Sequence, residues 1–152
     1  MGIEIERKFL VVGEAWKQGD GELISQGYLS RDPARTVRVR VTGDAAWLTI
    51  KGQSVGASRA EYEYAIPLAD AQQLLMLCEG PRVEKIRRLV PYAGMTWEVD
   101  EFLGDNAGLV VAELELSSAE QRFEVPPWVG PEVTEETRYF NSQLAARPFT
   151  TW

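Results

Sequence analysis

The sequence predicts a mainly β (α+β) fold: an eight-stranded antiparallel β-barrel, closed or nearly closed on itself, with a few flanking helices. Runs in which residue character alternates dominate the first 117 of the 152 residues. Turn-forming Gly, Pro, Asp and Asn residues separate these runs, as is typical of all-β barrels. A barrel of eight strands is just wide enough for side chains to fill its lumen or for one small ligand to bind there.

The elements follow from this alternation and from one change of period. Strands are predicted at residues 3–12, 22–30, 35–43, 46–53, 59–67, 82–91, 95–103 and 109–117. A helix is predicted over 68–78, where leucines recur at helical spacing. Beyond residue 117 we predict a helical turn at 118–121, a break at Pro126-Pro127 and a short helix at 141–146. No internal repeat or low-complexity linker interrupts the chain, so a single domain spanning residues 1–152 is predicted.

Composition and charge exclude several classes of function. The chain is 45% hydrophobic and 26% charged, which is typical of a globular protein. A net charge of −7 without a basic run argues against a nucleic-acid partner. With a single cysteine and no histidine, any bound metal should be a hard cation with oxygen ligands. No apolar run approaches the ~20 residues of a membrane span, and no signal-peptide pattern opens the chain, so we expect a cytoplasmic protein without a membrane partner.

Charged residues occupy one face of nearly every predicted strand. Side chains alternate between the two faces of a strand, so Glu4, Glu6 and Lys8 share a face. Alternation by itself does not decide which face is inside: the charged face fits a solvated exterior, and a lipocalin-like cup would have the apolar face inside. The charged face collects eight acids and seven bases: Glu4, Glu6, Glu61, Glu63, Glu98, Asp100, Glu113 and Glu115, with Lys8, Arg38, Arg40, Lys51, Arg59, Lys85 and Arg87.

Pairs of like charge along single strands argue against a simple solvated surface. Glu-x-Glu occurs on three of the strands, Arg-x-Arg at Arg38 and Arg40, and Lys-x-Arg at Lys85 and Arg87. Such pairs repel unless a ligand of opposite charge neutralises them. Carboxylate pairs favour a divalent metal, whereas guanidinium and ammonium groups favour phosphate oxygens.

The same residues resemble a known family. The stretch Glu4-Ile5-Glu6-Arg7-Lys8 is similar to the ExExK signature of the CYTH superfamily, the triphosphate tunnel metalloenzymes. A lone ExExK is weak, but further matching motifs follow in order, and together they resemble the short, single-domain bacterial members. These motifs lie at residues 26–29, 36–40, 48–52, 59–63, 85–87, 97–102, 112–116, 132–134 and 138–141.

The resemblance implies a barrel whose charged face is inside and binds a linear triphosphate. It implies that Glu4, Glu6, Glu113 and Glu115 bind Mg²⁺ or Mn²⁺. It implies phosphate binding by Lys8, Arg38, Arg40, Lys51, Lys85, Arg87 and Arg138. Lys8, Glu61, Glu63 and Asp100 are the candidate catalytic residues. The three acids, like Glu98, would either help to orient the attacking water or form ion pairs with the arginines.

The predicted function is divalent-metal-dependent hydrolysis of inorganic triphosphate, a small-molecule substrate, by a tripolyphosphatase. Two alternatives use the same site: an adenylyl cyclase, and a triphosphatase acting on thiamine or nucleoside triphosphates. A third alternative is a sensor that binds triphosphate or polyphosphate without turnover. The terminal residues 146–152 are apolar enough to pack on this subunit or on a neighbour, which leaves a homodimer open.

Overall fold

The computed structural model describes residues 2–152, and within this range the protein is mainly β. It contains two α-helices, α1 (Leu68–Leu77) and α2 (Asn141–Ala146). The strands are β1 (Gly2–Val11), β2 (Glu22–Ser30), β3 (Arg35–Thr42), β4 (Ala45–Gly52), β5 (Ser58–Ile66), β6 (Glu79–Tyr92), β7 (Met95–Phe102), β8 (Val110–Glu115) and β9 (Val129–Glu132).

Eight of these strands form a closed antiparallel barrel. Neighbouring strands follow the order β5-β4-β3-β2-β6-β7-β8-β1, and β5 pairs with β1 to close the ring. The closing contact joins Gly2–Ile5 of β1 to residues 58–61 of β5. The predicted eight-stranded barrel is therefore confirmed.

The short strand β9 is the strand that the sequence did not predict. It pairs with the distal half of β1, where Phe9 is opposite Glu132. Its four residues include Gly130 and Pro131, which are depleted in strands, so it lacks a strand-like pattern. Pro is tolerated there because β9 lies at the end of the sheet.

The helical predictions are also confirmed, with small differences at the boundaries. Helices α1 and α2 lie at the predicted positions, and Gln121 N donates a 3.2 Å hydrogen bond to Ser118 O, which closes the turn predicted there. Strand β6 starts earlier than predicted, at Glu79, because the chain pairs with Tyr28 of β2 before Gly80 and Pro81.

Most of the apolar packing lies outside the barrel wall. Phe9, Trp97 and Leu114 project outward from β1, β7 and β8, and Trp16 and Trp128 from the connecting segments cover them. The rings of Trp97 and Trp128 meet edge to face, with centroids 5.8 Å apart. Because this face is buried outside the wall, the opposite, charged face of the same strands points into the lumen.

The two helices cover different parts of the barrel. On the wall formed by β2, β3 and β4, Ala71 and Leu75 of α1 pack with Val39 and Ala46. Helix α1 comes so close to β2 that a Cβ at Gly27 would lie 2.9 Å from Cys78 Sγ, so a larger residue here would force Cys78 to move.

Helix α2 packs against β2 and β6 and belongs to a second apolar cluster. Leu144 and Ala145 pack there with Val83 of β6 and Phe102 of β7. Val83 lies two residues before Lys85, and Phe102 two residues after Asp100, on the same faces as the charged residues. Apolar residues therefore take over from charged ones at this end of the lumen.

No helix within residues 2–152 combines the length and the apolar character needed to cross a membrane.

Candidate active site

The barrel lumen contains a cavity of about 280 Å³ whose lining is mostly charged. We call it the lumen cavity. All predicted site residues except Asp100 and Arg138 line it, and Arg59 and Glu98 do so as well. Seven acids and seven bases contribute: Glu4, Glu6, Glu61, Glu63, Glu98, Glu113 and Glu115, with Lys8, Arg38, Arg40, Lys51, Arg59, Lys85 and Arg87.

One side of the lumen cavity is rich in carboxylates, which come from the adjacent strands β1 and β8. We call Glu4, Glu6, Glu113 and Glu115 the carboxylate wall. Strand register brings Glu6 opposite Glu115 and Lys8 opposite Glu113. The Lys8 ammonium lies 2.8 Å from Glu6 Oε1 and 3.3 Å from Glu113 Oε1, so one cation serves two carboxylates.

This crowding shifts the pKa of the Glu6 carboxyl. Burial and the charge of Glu113 raise the pKa of Glu6 to about 7, although Lys8 opposes the shift. For Glu113, burial is outweighed by Lys8, Arg87 and Lys85, which hold its pKa well below the usual range. The carboxylate wall therefore carries more negative potential than Lys8 alone can neutralise.

A second cluster joins the start of β1 to β4 and β5. The Lys51 ammonium donates to both carboxylate oxygens of Glu4, at 3.0 and 2.9 Å, and Arg59 Nε donates to Oε1 at 3.3 Å. Burial would raise the pKa of Glu4, but Lys51, a hydrogen bond with Glu61 and the charge of Arg59 lower it to about 2. Burial, the same hydrogen bond and the charge of Glu4 raise the pKa of Glu61 to about 7. Glu61 is thus able to gain or lose a proton near neutral pH.

The other side of the lumen cavity is basic. We call Arg38 and Arg40 of β3 and Lys85 and Arg87 of β6 the basic wall. Burial and the charges of Arg38 and Arg87 lower the pKa of Arg40 to about 10. Arg38 Nε is buried and has no hydrogen-bond partner within residues 2–152. An unsatisfied buried guanidinium donor beside a cavity is suited to binding an anion.

Asp100 lies behind the basic wall rather than on the surface of the cavity. Its side chain is fully buried, and its two oxygens accept hydrogen bonds of 2.7 and 2.9 Å from Arg87 Nε and Nη2. Lys85 Nζ lies 2.7 Å from Asp100 Oδ2. The two cations lower the pKa of Asp100 in spite of burial. Asp100 thus orients two basic side chains and does not itself face the space that a ligand would occupy.

Glu63 and Arg138, the remaining predicted site residues, lie in very different places. Glu63 lines the lumen cavity, where it accepts a 2.8 Å hydrogen bond from Thr49 Oγ1 and lies 3.8 Å from Arg38 Nη2. Arg138 does not line the cavity: its guanidinium carbon lies 4.5 Å from the ring centroid of Trp152 and 5.2 Å from that of Tyr139. The structure does not bring Arg138 together with the other phosphate-binding candidates.

Several neutral residues of the site escaped the sequence analysis. Asn141 Oδ1 accepts hydrogen bonds from Lys85 Nζ at 2.9 Å and from Gln26 Nε2 at 2.8 Å. Gln26 Oε1 in turn accepts a 3.3 Å hydrogen bond from Arg40 Nε. The parity of β2 could have placed Gln26 on the charged face, but no local pattern brings Asn141, at the start of α2, to a lysine 56 positions away.

The carboxylate wall has the right chemistry for a divalent cation. It offers only hard oxygen donors, and the raised pKa of Glu6 reports a repulsion that an added cation would relieve. Within residues 2–152, no three acidic or cysteine side chains are already gathered around one point as metal ligands. Lys8 and Lys51 explain this, because each ammonium contacts the carboxylates that a metal would bind.

Comparison with known proteins identifies the family of this chain. The CYTH domain family matches residues 2–149. An inorganic triphosphatase of Acetivibrio thermocellus is 51% identical over 151 residues, covering 98% of this chain and 97% of that protein. An inorganic triphosphatase of Nitrosomonas europaea is 41% identical over 151 residues, covering 93% and 96%.

Solved structures with the same fold were also found. A crystal structure of an inorganic triphosphatase superposes with a TM-score of 0.67 at 37% identity and covers 93% of each chain. A protein from Pyrococcus horikoshii has a TM-score of 0.57 at 21% identity, covering 77% of this chain and 81% of that one, and shares the fold alone. With a family match over nearly its whole length and two relatives above 40% identity, the chain belongs to the CYTH domain family.

Proposed function

We propose that this protein is a divalent-metal-dependent inorganic triphosphatase that hydrolyses a phosphoanhydride bond inside its barrel. The observation that carries the proposal is the division of the lumen cavity into a carboxylate wall and a basic wall. Carboxylates are ligands for Mg²⁺ or Mn²⁺, and the basic groups bind phosphate oxygens. The two relatives named inorganic triphosphatase, at 51% and 41% identity, support the same activity.

The charge of the lumen cavity fits a triphosphate that binds together with metal. With every side chain ionised, the charges of the seven acids and seven bases that line it sum to zero, and Asp100 behind the basic wall adds one negative charge. A bound triphosphate of roughly −4 at neutral pH would therefore remain uncompensated. Two divalent cations would balance it.

The basic wall binds and orients the substrate. Arg38 and Arg40 reach phosphate oxygens through planar guanidinium groups, and Lys85 and Arg87 are held in place by Asp100. Lys51 and Lys8 join them from β4 and β1. Positioned cations of this kind stabilise the charge that develops as the bond to the leaving phosphate breaks.

The carboxylate wall would hold the metal, with Glu4, Glu6, Glu113 and Glu115 as its ligands. When bound, the metal supplies Lewis-acid activation of phosphate oxygens and of the attacking water. Lys8 and Lys51 then exchange carboxylate partners for phosphate oxygens. We assign the general base to Glu61, a carboxylate that lines the lumen cavity beside Glu4 and can take a proton from water. Water attacks the terminal phosphorus, and the products are phosphate and pyrophosphate.

The test is phosphate release from inorganic triphosphate, with ATP and thiamine triphosphate in parallel, each with Mg²⁺, Mn²⁺ or a chelator. We expect rapid metal-dependent release from inorganic triphosphate and much slower release from the organic triphosphates. Preference for an organic triphosphate would overturn the substrate assignment while keeping the site. Tight triphosphate binding in calorimetry without release from any substrate would make the protein a sensor and overturn the enzyme assignment.

A further inference from the structure

A second cavity of about 280 Å³ adjoins the lumen cavity. We call it the outer cavity. It lies beside the β4–β5 turn, which contributes Gln53 and Ser54, and beside the segment that leads into α2, which contributes Glu135 and Thr137. The two cavities share four lining residues: Thr36, Arg59, Phe140 and Ser142.

Phe140 is the large apolar side chain of this shared wall. It also lines a third, smaller space of about 20 Å³ beneath Glu4, Glu6 and Lys8, so its ring borders three cavities at once. The ring centroid lies 5.8 Å from Lys8 Nζ and 5.7 Å from Arg59 Cζ. Cations packed on an aromatic ring favour one position of that ring.

The backbone also holds Phe140 in place. Its carbonyl oxygen accepts hydrogen bonds of 2.9 Å from the backbone N–H groups of Gln143 and Leu144, in the first turn of α2. Leu144 is fully buried against the barrel. The ring is therefore attached to an element that is anchored to the barrel, and it lines both cavities.

The two cavities suit different chemical groups. Fourteen charged side chains line the lumen cavity, whereas the outer cavity has only Arg59 and Glu135, which are of opposite sign. A longer polyphosphate chain would find little cationic compensation there. The amides of Gln53 and Gln143 and the hydroxyls of Ser54 and Thr137 instead suit a neutral organic group with hydrogen-bonding edges.

We propose that Phe140 determines substrate specificity: it closes the lumen cavity against the outer cavity, and so restricts the site to inorganic triphosphate. The outer cavity, once connected by removal of the ring, takes the nucleoside of a nucleoside triphosphate whose phosphates lie in the lumen cavity. This inference rests on the proposed triphosphatase function. The expected signature is a change in the ratio of two activities, because a general loss of catalysis would lower both.

The experiment compares kcat/KM for ATP with kcat/KM for inorganic triphosphate in the native protein and in Phe140→Ala. We expect the ratio of kcat/KM for ATP to kcat/KM for triphosphate to rise at least about tenfold, the lower end of the discrimination that one methylene group provides in a hydrophobic pocket. An unchanged or lower ratio in a folded variant would overturn the inference. If the native protein hydrolyses neither substrate, the proposed function fails instead, and the two failures are thereby distinguished.

Further variants distinguish the effect of removing the Phe140 ring from binding of the nucleoside in the outer cavity. Phe140→Leu keeps an apolar side chain at the start of α2 and serves if the alanine variant does not fold. It should give a smaller rise in the activity ratio, and no rise would count against the proposal.

Gln143→Ala, which changes the outer cavity only, should leave triphosphate turnover intact in the native background. Combined with Phe140→Ala, it should reduce the gained ATP activity and weaken binding of a non-hydrolysable ATP analogue in calorimetry. If the double variant keeps the full gain and the same analogue affinity, the nucleoside does not bind in the outer cavity.

Discussion

Two buried lysines in the same lumen have pKa values that are shifted in opposite directions from that of an ordinary lysine. Lys8 lies on the carboxylate wall, where Glu113 and Glu6 overcome the effect of burial and raise its pKa. Lys85 lies on the basic wall, where burial and the charges of Arg87 and Arg40 outweigh Asp100 and lower its pKa to about 7. Both side chains are almost completely buried, so the difference comes from their neighbours and not from exposure.

The comparison indicates that each wall lacks the opposite charge. The carboxylate wall would gain from another cation, and the basic wall from another anion. Such an arrangement is costly in the absence of ligands, and a functional site is the usual reason for it. Changes to the charges of the two walls, and to one ion pair outside the barrel, test this comparison.

Removal of the Asp100 charge should have the largest effect, a loss of stability at the basic wall. Asp100→Asn leaves Lys85 and Arg87 without the buried anion that orients them, and breaking a buried ion pair of this kind costs about 3 kcal/mol or more. Urea unfolding should report this loss, and inorganic triphosphate should restore part of it by supplying negative charge. Asp44→Asn, in the exposed β3–β4 turn, is the control and should change stability little. Equal stability of Asp100→Asn and the native protein would show that the basic wall does not depend on this anion.

The carboxylate wall should respond in the opposite way. Glu6→Gln and Glu115→Gln should each lower metal-dependent kcat about 100-fold or more, because a ligand of the proposed metal is lost. The free energy of unfolding should not fall, since each change removes repulsion from a crowded group of carboxylates.

Phosphate release and thermal unfolding measure the two effects side by side. Glu84→Gln, on the exposed face of β6, is the matched control and should match the native protein in both. Full activity of both wall variants would refute the metal assignment.

Arg38→Ala should weaken substrate binding as well as turnover. The loss of charge-assisted hydrogen bonds of about 2 kcal/mol corresponds to roughly a 30-fold lower kcat/KM, with a raised KM. Steady-state kinetics with inorganic triphosphate checks this. Arg35→Ala, on the same strand but exposed and paired with Asp32, should have native kinetics. A KM that does not change in Arg38→Ala would place Arg38 outside the phosphate site.

We expect the smallest effect on stability from the Arg7–Glu132 ion pair outside the barrel. Its contribution to the free energy of unfolding depends on pH. Arg7 donates hydrogen bonds of 2.8 and 2.6 Å to Glu132 on β9, and this contact lowers the pKa of Glu132. A partly exposed pair contributes about 0.2–1 kcal/mol. Because the folded pKa is lowered, the contribution is complete above the unfolded pKa and is lost as the pH falls through the folded value.

Glu132→Gln should therefore be slightly less stable than the native protein at pH 7, and the difference should shrink at pH 3. Urea midpoints at the two pH values test this. A difference that grew on acidification would contradict the sign of the pKa shift.

The sequence by itself determined the strands and the composition of their two faces. The alternation of charged and apolar residues has a period of two, which is a local property that can be counted along the chain. The predicted strand positions and the motif from Glu4 to Lys8 follow from it, as do the members of the two walls. Strand β9 was missed because four residues with Gly130 and Pro131 carry no such period.

The alternation left open which face is inside, and the resemblance to the family implied the charged face. The tertiary structure shows that face inside, and it alone shows which residues meet. Closure between β1 and β5, together with the aromatic cover over Trp97, turns the charged face inward. Strand parity placed Asp100 on the charged face but could not tell a residue behind Lys85 from one facing the cavity. Asn141 contacts Lys85, Phe140 lines two cavities, and Arg138 packs against Trp152. All three placements depend on how the C-terminal segment packs against the barrel. Contacts between residues far apart in sequence leave no periodic pattern, so the sequence alone does not predict them.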